Sequence, residues 1–184
     1  ERIRELCDED IPQLVKLLNS QNKNLEFAPR YTVDSFREMY KKYNSFGFIA
    51  EKNKTIIGCI TLFIAPWSGW MYGKPIYSKS YGILLIRQPL EFAVIPEYSK
   101  RIAPQLLYKS MNDERIGKYL LLVDVFDRRI SWLQKAYLDV GADDFSFDYG
   151  TVFLKDLSGK NSKLNSQIYI PTHLLISPYT TKDY

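Results

Sequence analysis

The residues able to do chemistry concentrate between Leu90 and Leu107, which reads LEFAVIPEYSKRIAPQLL: an apolar strand, a proline, a short basic turn and the start of a helix. A strand that runs into a polar turn and a helix N-terminus aims backbone N–H groups and a positive dipole end at one spot, where phosphate binds readily. Lys100 and Arg101 either add direct charge there, as charge-assisted donors to phosphate, or are solvated turn residues. Pro104 suits the first turn of a helix but removes one N–H from it. Within the strand, alternation puts Leu90, Phe92 and Val94 on one face and Glu91, Ala93 and Ile95 on the other. A carboxylate at position 91 is costly to bury unless it is paired, with Arg87 for instance, or faces a cleft, where it is a candidate base for an incoming ammonium.

These residues need elements to position them, and the hydrophobic periodicity supplies an order. Ile3 to Leu6 reads as a short strand, and Asp8 can cap a helix carrying Ile11, Leu14, Val15 and Leu18 at helical spacing. Thr32 offers a cap for a second helix, with Val33, Phe36, Met39, Tyr40 and Tyr43 on one face. Phe46 to Ala50 and Ile56 to Ile64 form an antiparallel hairpin around the polar turn Glu51 to Lys54. From Pro66 to Lys79 the mix of turn formers with Trp67, Trp70, Tyr72 and Tyr77 reads as a loop; its rings form one wall of a ligand site or cover the core edge. Ile83 to Ile86 begins a strand that Pro89 interrupts, and Leu90 to Ile95 continues it. Ala103, Leu106, Leu107 and Met111 mark a helix ending near Gly117, and Tyr119 to Val125 is an apolar strand. Ile130, Leu133, Tyr137 and Val140 mark a helix stopped by Gly141, and Phe145 to Leu154 alternates as a last strand. Early antiparallel pairing followed by one crossover gives an α+β, or mixed α/β, fold.

Composition narrows the function classes. With 184 residues and 46% apolar content the chain suits a single domain or a domain with a tail, residues 1–157 and 158–184. A net charge of +4 with no cationic block does not imply nucleic-acid binding. Cys7, Cys59 and the single His173 make neither a disulfide framework nor a zinc site, so no metal is expected and a reducing, cytoplasmic setting is. The apolar runs are too short to span a bilayer, and no signal-peptide core follows the charged start. No Gly-x-Ser-x-Gly elbow or calcium-loop spacing occurs among the serines and aspartates.

Element order and crossover residues together resemble the GNAT superfamily of N-acetyltransferases over roughly Ile3 to Leu154. Val94, Ile95, Pro96, Glu97 and Tyr98 look like the end of that family's fourth strand and the start of its pyrophosphate loop. Tyr137 to Gly141 resembles its Tyr-x-x-x-Gly signature, and Glu91 stands where many members carry an acidic residue. The resemblance implies a mixed, mostly antiparallel twisted sheet flanked by about four helices; beyond its reach, Gln167 to Ile170 in the tail is a candidate edge strand. It also implies acetyl-CoA as co-substrate and a small-molecule or peptide amine as acceptor; whether the chain is a monomer or a homodimer is left open by the sequence. By carry-over, Glu91 deprotonates the amine, Tyr137 protonates the departing thiolate, and the Val94 N–H holds the thioester carbonyl. Ser99, Lys100, Arg101, Ile102 and Ala103 cradle the pyrophosphate, Asp127 stands in the region of a family asparagine, and Trp67, Trp70 and Tyr72 line the acceptor side. The departures matter as well. The family loop carries glycines, whereas Ser99 to Pro104 has none and is one residue shorter, and Asp127 lies ten residues before Tyr137 rather than about seven. Tyr137 also lies on the apolar stripe of its helix, as a core tyrosine does. The alternatives are therefore a GNAT-like binding or assembly module without turnover, or an acyltransferase with a different acyl donor.

Overall fold

The computed structural model describes residues 1–25, 28–67, 84–113, 121–122 and 130–142. Among the described residues, five strands form one sheet in sequence order: β1 (Arg2–Glu5), β2 (Phe46–Lys52), β3 (Thr55–Trp67), β4 (Leu84–Val94) and β5 (Leu121–Leu122). The first three pairings are antiparallel and β4 runs parallel to β5, so the sheet is mixed and mostly antiparallel, as expected. Four helices among the described residues flank it: α1 (Ile11–Asn22), α2 (Val33–Lys42), α3 (Ser99–Met111) and α4 (Ser131–Asp139). The expected last strand, Phe145 to Leu154, and the tail from residue 158 lie outside the described residues.

Alternation along the strands builds a core on each face. Ile49, Ile56, Cys59 and Ala93 meet α1 and α2 through Leu14, Leu18 and Phe36. Phe48, Ile60, Leu62 and Val94 meet α3 and α4 through Ile102, Leu106, Leu107 and Leu133. Full burial of each such side chain contributes roughly 1.5–3 kcal/mol. The sheet is thus the middle of three layers, and β4 is read from both sides.

Local chemistry fixes the ends of the elements. The Thr32 hydroxyl accepts from the Ser35 N–H at 3.1 Å and starts α2 as expected. The β2–β3 turn is tighter than expected: Lys52 already faces Thr55, leaving Asn53 and Lys54 as the two turn residues, with φ of 49° and 63°. Gly141 stops α4 at φ 82°, where its N–H donates to Leu138 and the Ala142 N–H to Tyr137, both at 3.0 Å.

Other expectations are corrected. Asp8 does not cap α1: residues Asp8–Asp10 form a 3-10 turn, and it is Asp10 that accepts the Cys7 N–H, at 3.0 Å. Pro89 does not interrupt its strand, because a bulge absorbs it. Thr61 faces Glu91 and Leu62 faces Pro89, so Leu90 is the extra residue, and a proline's missing N–H is tolerated at such a step. Beyond Val94, Ile95 packs on the α3–α4 side rather than sharing the face of Glu91 and Ala93. Helix α3 ends at Met111 instead of near Gly117, where the Asn112 side chain donates to the Tyr108 carbonyl at 2.8 Å.

Candidate active site

The site is built on the C-terminal half of β4. After the bulge, the ladder to β3 is repaired by a side chain: the Thr61 hydroxyl accepts the Glu91 N–H at 3.0 Å and donates back to the Glu91 carbonyl at 3.4 Å. At the strand's end the Ile95 N–H donates to Ile57 at 2.9 Å. Alternate amides of a strand point to opposite sides, so the Val94 N–H is turned away from β3. It is held by the Gln21 carboxamide oxygen at 2.9 Å, while the Gln21 amide nitrogen donates to the Phe92 carbonyl at 3.5 Å.

Glu91 and Ala93 face the α1–α2 layer, and Phe92 and Val94 face α3–α4, as the alternation predicts. Glu91 is only 4% exposed, and the Tyr31 hydroxyl donates to its Oε1. Tyr31 lies in the α1–α2 connection, where Asn19 pins its backbone: the Tyr31 N–H donates to Asn19 Oδ1 at 2.9 Å and Asn19 Nδ2 donates to the Tyr31 carbonyl at 2.8 Å. Beside Glu91, burial pushes the Cys59 thiol up, and the carboxylate's charge adds to that shift. Cys59 is therefore an inert core thiol.

On the opposite face Phe92 gathers two aromatic rings of α4. Trp132 meets it edge-on at 5.6 Å between centroids and Tyr137 at 6.4 Å. Tyr137 is 9% exposed and belongs to the core of the α3–α4 face, whereas Glu91 faces the α1–α2 layer, so the two sequence-expected groups stand on opposite faces of β4.

The segment after β4 differs from a loop. Pro96–Tyr98 make a 3-10 turn that runs straight into α3, so Ser99 to Ala103 are the first turns of a helix and Pro104 is its sixth residue, one turn later than expected. The Ser99 hydroxyl is turned inward onto the Pro96 carbonyl at 2.8 Å, and the Ile102 and Ala103 side chains are in the core. What this turn presents outward is backbone together with exposed Lys100 and Arg101, the latter ion-paired with Glu1. Lys52 steadies the turn from β2, its ammonium lying 5.0 Å over the Tyr98 ring.

Trp67 is the last residue of β3, and Trp70, Tyr72 and Asp127 lie outside the described residues. Among the described residues no helix is long and apolar enough to cross a membrane, and no group of three or more His, Cys, Asp or Glu side chains is placed to hold a metal ion. Sequence reasoning missed Gln21 and Tyr31. A signal existed for the first: the apolar stripe of α1 ends at Leu18, and the next inward positions hold two amides, Gln21 and Asn22.

No family model and no curated protein matches the chain. Solved structures do. An aminoglycoside acetyltransferase from an uncultured soil metagenomic sample superposes with a TM-score of 0.62 at 14% identity, covering 84% of this chain and 96% of that one. A ribosomal-protein-alanine N-acetyltransferase from Brucella melitensis biovar Abortus 2308 gives 0.58 at 16% identity, with 85% and 100% covered. A transcriptional regulator from Bacillus halodurans C-125 gives 0.59 at 15%, with 83% and 99% covered. Shared architecture at this identity assigns a fold and leaves chemistry to the site. The chain has the fold of the GNAT superfamily of acetyltransferases.

Proposed function

We propose that the chain is an N-acyltransferase that moves an acetyl group from acetyl-CoA to a primary amine of a small molecule or peptide, by direct attack in a ternary complex. The observation that carries this reading is the Val94 N–H, turned away from β3 at the end of β4, three residues after buried Glu91 and just before α3. A strand-held donor with a carboxylate on one side and a helix N-terminus on the other suits acyl transfer from a phosphate-bearing thioester.

Coenzyme A supplies an activated carbonyl on a sulfur that leaves readily. The start of α3 suits its pyrophosphate, through the positive end of the helix dipole and the charges of Lys100 and Arg101. Glu91 takes one proton from the ammonium, directly or through water, and frees the nitrogen lone pair to attack the carbonyl carbon. Val94 N–H donates to the carbonyl oxygen as negative charge develops there. The carbon–nitrogen bond forms, the carbon–sulfur bond breaks, and Tyr137 gives its proton to the sulfur. A phenol, with an ordinary pKa near ~10, carries that proton at neutral pH. The nitrogen's second proton leaves as the amide forms, and Tyr137 regains one from solvent. The acceptor approaches beside the segment bearing Trp67, Trp70 and Tyr72.

Calorimetric titration with acetyl-CoA tests the reading: binding is expected, and none at high micromolar ligand overturns it. Gln21 on the Val94 N–H favours a second reading, a GNAT-like binding module without turnover. Acetyl-CoA binding without acetylation of any amine in a broad panel, with longer acyl donors equally inert, would select that one.

A further inference from the structure

We propose that Gln21 sets the affinity for the acyl donor by competing with it for the edge of β4, an inference that rests on the donor reading above. A strand edge offers a neighbouring amide one N–H and one C=O, two residues apart. The Gln21 carboxamide takes that pair, accepting from Val94 at 2.9 Å and donating to Phe92 at 3.5 Å. A side chain of α1 therefore imitates one peptide unit of an added strand at the place where the thioester carbonyl is to be received.

The imitation is reversible by construction. Gln21 is in the last turn of α1 and is half-buried, so rotation of its own side chain clears the edge while the helix stays on Leu14 and Leu18. The Val94 N–H is never left without an acceptor: it passes from the carboxamide to the donor's carbonyl. That exchange removes the desolvation penalty of an orphaned amide in the empty protein and makes donor binding a substitution of one hydrogen bond for another. Gln21 is a positioning residue, and its effect falls on donor affinity and KM, with kcat moving less.

The full chain and its Gln21→Ala variant provide the test. Without ligand, Val94 amide exchange read by NMR accelerates in Gln21→Ala; an unchanged rate overturns the proposal. In calorimetry, Gln21→Ala binds acetyl-CoA roughly three- to tenfold tighter, the worth of one neutral hydrogen bond no longer displaced. Equal or weaker binding by Gln21→Ala, while the wild type binds, overturns the role of Gln21 alone. Absence of binding by both proteins overturns the donor reading and the competition with it.

Discussion

At the scale of residues, Glu91 bears the cost of a carboxylate taken almost wholly out of water, and the Tyr31 hydroxyl offsets part of it. Glu91→Gln still accepts from Tyr31 and keeps the side chain's shape. It is expected to fold normally, bind acetyl-CoA unchanged and lose about 10²- to 10³-fold in kcat; a kcat within a factor of two of wild type removes Glu91 as the base. Tyr137→Phe keeps the edge-on contact with Phe92 and deletes only the hydroxyl, so turnover should drop on the order of 10²-fold while donor affinity stays put. Equal losses in both would assign the hydroxyl to packing. Glu91 and Val94 were legible in the sequence because strand alternation and the motif after them are local. Gln21 and Tyr31 were not, because a side chain 73 or 60 residues away reaches them only through the packing of α1 and its connection on the sheet.

At the scale of elements, what carried across was what repeats within one segment. The stripe of α2, the hairpin, and the glycine stop of α4 were all readable, since each is decided by neighbours three or four residues away or directly opposite. The misses occur where geometry is settled elsewhere. Pro89 survives inside β4 because the bulge opposite Thr61 and Leu62 absorbs it, and Ser99 enters a helix because Pro96–Tyr98 already turn the chain. Gly58 shows what the seat of α3 demands. A Cβ there would lie 3.0 Å from Ile102 Cγ2 and 3.2 Å from both Leu106 Cδ1 and Val94 Cγ2, all fully or nearly fully buried. Gly58→Ala is expected to destabilise the protein by roughly 1–3 kcal/mol in urea unfolding, through overpacking between β3 and α3. Gly58→Val should cost more than Gly58→Ala; the opposite order would mean that strand propensity outweighs the crowding.

At the scale of the whole molecule, the fold was legible because two apolar faces on one sheet demand two helical layers. The chain shares that solution with acetyltransferases at 14–16% identity, where few individual residues are common. A polar junction adds to the apolar packing of the early elements. Arg4 on β1 donates to Asp10 ahead of α1 at 2.7 and 2.8 Å and to Glu51 on β2 at 2.9 and 3.2 Å. The guanidinium holds the Asp10 carboxyl far below the usual carboxylate range. A carboxyl with a depressed folded pKa adds stability that is fully present above its unfolded value near ~3.9 and is lost as pH falls through the folded one. Urea unfolding of wild type should therefore show stability dropping as pH falls below about 4. Asp10→Asn should be less stable at neutral pH, on the order of 1–3 kcal/mol, since it leaves Arg4 with a weaker partner. Its acid slope should be shallower, so the two stability curves converge toward pH ~2. Asp8 is also held below its ordinary range, by Arg37, but it is present in both proteins and cancels in the difference. Parallel curves across the acid range would show that Asp10 does not couple protonation to the junction of β1, α1 and β2.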